Sequence, residues 1–187
     1  KNMTGVDLTY AWAMNANFEG TNLSDGILND SDFTGAILNN ATLAGANLSS
    51  SLFIQASLVG ANATNADFSG ANLSSANLSN ADLTGADLSF ATLTNLHALD
   101  LQGCPAALPE DWTCVQQNLV GPTANLQGVT LTNADLTSSV MTEANLSNGN
   151  LEYADLAGVD LSGATLTNAS MAYATLMSAN VENAELS

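Results

Sequence analysis

From Ala66 to Phe90 the chain reads Ala66-Asp-Phe-Ser-Gly, Ala71-Asn-Leu-Ser-Ser, Ala76-Asn-Leu-Ser-Asn, Ala81-Asp-Leu-Thr-Gly, Ala86-Asp-Leu-Ser-Phe90. A five-residue unit recurs, with a large apolar residue in its third place, denoted i. Working outward, this phase holds from Met3 to Leu93 over 19 repeats, and a second phase from Leu126 to Leu186 adds 13. Of these 32 central positions 26 are Leu or Phe, and at i−2 a majority, 22, are Ala. A period of five suits neither regular element. On an α-helix it drifts by about 140° per repeat, which leaves no apolar face. On a flat strand an odd period puts successive Leu residues on opposite sides. The pattern is buried if the chain bends once per repeat. Then i−2 and i point inward, i−1 points outward, and the bend falls at i+1 and i+2, where Ser, Thr, Asn and Gly suit turns. A chain bending the same way every five residues winds into a solenoid.

These A-(D/N)-L-x-x units resemble the pentapeptide-repeat family over about 160 of the 187 residues. The resemblance implies an all-β fold: a right-handed quadrilateral β-helix, four repeats to a coil. The repeats then make about eight coils, interrupted by one loop or hairpin insert. At a strand spacing of about 4.8 Å the coils would rise about 38 Å. Residues 20 apart lie above one another, so Phe33 meets Phe53 inside and Tyr153 meets Tyr173 at an outer corner. The expected core column includes Leu23, Leu43, Leu83, Phe33, Phe53, Leu136 and Leu156.

The expected organisation is one continuous domain. It has a first solenoid run at 1–103, an insert at 104–123 and a second run at 124–187. Leu96 and Leu101 already fall in the phase of the second run, which places a register slip between Leu93 and Leu96. All three prolines, Trp112 and the only cysteines, Cys104 and Cys114, lie in the insert. Cysteines ten apart in a Pro-containing loop favour a local disulfide, with free buried thiols as the alternative. A disulfide implies an oxidising compartment, hence an extracellular or periplasmic location; free cysteines imply the cytoplasm. Trp112 is expected to cover the insert's own small core.

Lys and Arg total 1 against 18 Asp and Glu, a formal net charge of −17. No basic patch for nucleic acid or anionic lipid can be built from this composition. No apolar run approaches the roughly 20 residues of a membrane helix. With 46% hydrophobic and 10% charged residues, the chain is not a disordered acidic tail. It opens on Lys1 rather than Met and shows no signal peptide, as expected of a mature form or a fragment. No catalytic, cofactor or metal set can be assembled around His97, the only histidine.

The leading expectation is a non-catalytic structural solenoid, secreted or at the cell surface. Bare solenoid ends expose core and unpaired strand edges. Met3, Leu8, Val181 and Leu186 are therefore candidate assembly ends, and the expected partner is another copy, joined head to tail into a filament. No nucleic-acid partner and no membrane insertion are expected. One alternative is an acidic DNA mimic on a type II topoisomerase, a role that the resemblance brings in because some pentapeptide-repeat proteins protect gyrase. Duplex DNA carries roughly 22 charges over 38 Å, but the acidic residues here are scattered over several rows. A second alternative is an ice- or ion-binding surface. Ice binding would need Thr-x-Thr stacked on successive coils, whereas Thr92-Leu-Thr94, Thr130-Leu-Thr132 and Thr165-Leu-Thr167 lack such partners. The pairs Asp67 with Asp87 and Asp135 with Asp155 invite at most a weak Ca²⁺ contact.

Overall fold

In the computed structural model, which describes residues 1–186, the bend at i+1 and i+2 is present in every repeat from that of Met3 to that of Leu93 and from that of Leu126 to that of Val181. Residue i+2 has a positive φ throughout, from Gly5 to Asp100 and from Gly128 to Asn183. Only glycine adopts this left-handed conformation freely, as Gly85 does at +73°. Asn and Asp, the commonest alternatives here, tolerate it because a short polar side chain bonds locally.

The repeat closes its own hydrogen-bond account, as residues 22–26 illustrate. Leu23 and Asp25 donate their N–H groups to the Thr42 and Ala44 carbonyls, at 2.7 and 2.9 Å, while the N–H of Asn22 reaches back to Lys1 at 2.8 Å. Gly26 N–H closes the turn onto the Leu23 carbonyl at 3.1 Å. The fifth N–H, of Ser24, donates to Oδ1 of Asn22 at 3.0 Å. An unmade buried bond costs about 1–3 kcal/mol, so the Asn or Asp at i−1 completes the repeat as well as facing water.

Single-residue parallel bridges join i−1 residues 20 positions apart, for example Asn2 to Asn22 and Asn22 to Thr42. A coil therefore takes 20 residues, or four pentapeptides. Among the described residues there is no helix. By contact the chain divides into two compact units, Lys1–Glu110 and Asp111–Ser187, which part inside the insert.

In the first unit Leu23, Leu43, Leu83, Phe33 and Phe53 are fully buried, and so are Leu136 and Leu156 in the second. Burying each such side chain contributes about 1.5–3 kcal/mol. Phe33 and Phe53 stack at 5.0 Å with an interplanar angle of 7°. Phe18 and Phe68 meet this pair edge-on, each at 5.8 Å. Two Ser that replace Ala at i−2 satisfy their hydroxyls: Ser51 donates to the Leu28 carbonyl at 2.7 Å and Ser31 to that of Leu8.

The expected slip between Leu93 and Leu96 does not occur. Asn95 and Asp100 keep the positive φ of the first phase, and His97 bridges Asn77. Leu96 occupies the i−2 place and Ala98 the i place, both buried. Large and small residues have exchanged places with little change in total volume, which a packed core tolerates. The irregularity lies later. Asp82 bridges Gly103, 21 residues on, and the ladder then regains its 20-residue step at Asp87–Ala107. One extra residue at Gln102–Gly103 makes this a local bulge, and the ladder runs past Gly103 to Ala107.

The second unit begins with an antiparallel hairpin of β1 (Thr113–Val115) and β2 (Asn118–Val120). Its two turn residues, Gln116 and Gln117, both have positive φ, at 47° and 59°. That is the turn whose twist matches paired strands. The Asn118 side-chain amide braces it with a 2.8 Å bond to the Gln116 carbonyl. Neither cysteine is free, so Cys104 and Cys114, the only two, form the disulfide. The parallel ladder then runs from Asn125–Asn145 to Thr165–Glu185.

Candidate binding surfaces

The outward i−1 row is occupied by turn capping. Every Asn and Asp in it accepts the N–H of residue i+1 through its side-chain oxygen. The backbone bond, seconded by the hydroxyl of Thr9, Thr137 or Ser162, holds the carboxyls of Asp7, Asp135 and Asp160 below their ordinary range. At Asp87 the Ser89 hydroxyl leads and the backbone follows. Asp67 bridges Asp87 and Asp135 bridges Asp155. Among the described residues no group of three or more His, Cys, Asp or Glu is placed to hold a metal ion. Thr92, Thr130 and Thr165 bridge Asn72, Asn150 and Asn145, so no Thr-x-Thr ladder forms.

Met171, Leu176, Val181 and Leu186 help line an apolar hollow of about 150 Å³. Leu186 is 58% and Val181 41% exposed. In the first coil Met3 and Leu8 are half-buried. The coil-to-coil series of N–H bonds from position i ends at Leu166, which donates to Glu185 at 2.7 Å.

Trp112 is half-buried and lies so close over Gly121 that no Cβ fits there. Beside it Asp111, Thr113, Val115, Asp135 and Val140 border an open groove of about 350 Å³. Tyr153 and Tyr173 stack at 4.9 Å and remain exposed.

One surface has no counterpart in the sequence reading. Trp12 occupies an i−1 position and is 91% exposed, with Tyr10 at 72% and Met14 also exposed beside it. Together with Asp30, Asp32, Ser50 and Leu52 of the following coils, Tyr10 and Trp12 border an open groove of about 470 Å³. The available signal was an aromatic residue in a row where Asn and Asp are commonest.

A parallel single-residue ladder with a left-handed bend every fifth residue defines a β-helical repeat protein. The model for "Pentapeptide repeats (8 copies)" matches residues 2–40, 38–70, 64–95, 124–156 and 150–183, and the chain belongs to the pentapeptide-repeat family. With that family comes a right-handed β-helix. The chain is similar to a solved pentapeptide repeat protein, Rfr23 from the cyanobacterium Cyanothece 51142. The identity is 30% and the TM-score 0.55, over 58% of this chain and 88% of that one. It is also similar to QnrB1, a plasmid-mediated fluoroquinolone resistance protein. There the TM-score is 0.52 over 99% of this chain and 84% of that one, and the 16% identity makes it a likeness of fold alone. No curated protein matches the chain significantly.

Proposed function

We propose that the chain is a non-catalytic scaffold, a quadrilateral β-helix of about eight coils that joins further copies of itself end to end. What supports this reading is the apolar hollow that Met171, Leu176, Val181 and Leu186 help line, with the last three exposed. The two edges of such a ladder are complementary and different. At the C-terminal edge the N–H groups of Met171, Leu176 and Val181 look for the acceptors that Asn22 or Thr42 supplies within the ladder. At the N-terminal edge the carbonyls of Asn2, Asp7, Trp12 and Asn17 are the equivalent acceptors. A contact between unlike edges does not close on itself, so it propagates. Apolar stacking of Leu186 near Met3 and Leu8 of the next copy would accompany the bonds.

The net charge of −17 opposes association and is screened by salt. The disulfide suits an oxidising compartment, which supports a secreted or surface location. Sedimentation velocity tests the reading. The pure protein should grow into open-ended oligomers as concentration and salt rise, while Val181→Asp stays monomeric with an unchanged far-UV spectrum. A wild-type protein that is monomeric under all these conditions would remove the end-to-end contact.

A further inference from the structure

Residues at the same place in successive coils are 20 apart, so positions 10–14, 30–34, 50–54, 70–74 and 90–94 share one side of the first unit. Tyr10, Trp12, Met14, Leu52 and Phe90, all exposed, fall on that side or its corner. The other exposed large apolar residues of this unit, Ile27 and Ile37, also take uncapped i−1 places but lie on other sides. The fold requires none of the five. Trp12 and Leu52 stand where Asn or Asp would cap the turn, and neither side chain can accept that bond. Tyr10 and Phe90 hold left-handed backbone at φ 58° and 59°, which is unfavourable for a bulky residue. Exposure, a lost cap and backbone strain thus coincide on one side, and large exposed apolar surface of this kind marks interaction sites.

The chemistry of the groove selects the occupant. Its charged groups are Asp30 and Asp32, which only accept hydrogen bonds. Oδ1 of Asp32 takes the Thr34 N–H at 2.8 Å and Oδ2 of Asp30 takes the Asn29 amide at 2.7 Å. Each carboxylate keeps a second oxygen for a ligand. Ser31 donates its hydroxyl to the Leu8 carbonyl, leaving Tyr10 and Ser50 as the hydroxyls of the wall. Sugar hydroxyls both donate and accept and would need more donors than this. A guanidinium only donates, matches carboxylates and stacks on an indole face. The surrounding charge of −17 also draws cations. We infer that the Tyr10–Trp12–Leu52 face docks a cationic segment of another protein, with an arginine stacked on Trp12 and bonded to Asp30 and Asp32, and aliphatic neighbours against Leu52.

The test follows the indole N–H signals of the ¹⁵N-labelled full chain, with Trp12 assigned from Trp12→Ala. Acetyl-Gly-Arg-Leu-Arg-Gly-amide at low salt should shift the Trp12 signal saturably and leave Trp112 in place. The same peptide with Glu for Arg should shift neither. The double variant Asp30→Asn, Asp32→Asn keeps a cap at position 32 and should bind about tenfold more weakly. Equal affinity for Trp12→Ala, read by isothermal titration calorimetry because that variant lacks the reporting indole, would reduce the binding to general charge attraction and overturn the site. A Trp12 shift with cello- or chito-oligosaccharides but not with the arginine peptide would overturn it in favour of a glycan.

Discussion

Phe90 shows how the pentapeptide constrains a single residue. It sits at i+2 with φ 59° and is 89% exposed, so it carries the left-handed penalty without the return of burial. For an L-residue that penalty is roughly 1–2 kcal/mol, and Asn bears it better than Phe. Phe90→Asn should therefore raise the melting temperature, corresponding to a gain of up to about 1 kcal/mol, as read by thermal or urea denaturation. The capping carboxylates make a second residue-scale prediction. Asp7, Asp87, Asp135 and Asp160 titrate below their ordinary value of 3.8 because hydrogen bonds favour the charged form. A depressed folded pKa contributes stability that is complete above the unfolded value and lost as pH falls through the folded one. Their replacement together by Asn keeps an acceptor that does not titrate. Relative to that variant, the wild type should lose stability as pH falls below 3.8 in urea denaturation series; parallel curves would contradict the assigned cause.

At the scale of the element, the inward and outward places follow from periodicity alone, since only a bend every fifth residue can bury Leu at i. The sequence places Asn and Asp at i−1 facing outward, and their capping role appears only when all the N–H groups of the repeat are traced. Two further features were not legible. Leu96 reads as a central residue because size is the only cue in the sequence. In the fold it fills the small place, because Ala98 opposite the exchange restores the volume. Trp12 also stayed hidden. The 20-residue step already puts Trp12, Asp32 and Leu52 in line, but the exposure of Trp12 and the groove beside it appear only in the folded chain. The column itself makes a plain prediction. Leu83→Ala removes a fully buried side chain from a site walled by adjacent coils and should cost about 2–5 kcal/mol. A change within experimental error would argue against the inward assignment of i.

For the whole molecule, the end-to-end proposal draws on the exposed apolar residues Leu176, Val181 and Leu186 of the second unit and on the unlike edges of a parallel ladder. A family fold by itself does not set a role. The scaffold reading therefore rests on those residues, and the docking face on Trp12 is independent of them. Continuation of the ladder from copy to copy would preserve the interstrand spacing along the fibre axis. The most direct measurement is electron microscopy and fibre diffraction of the pure, disulfide-intact protein at high concentration and high salt. The account predicts thin unbranched fibres with a meridional reflection near 4.8 Å; only monomeric particles, or fibres without that meridional reflection, would contradict it.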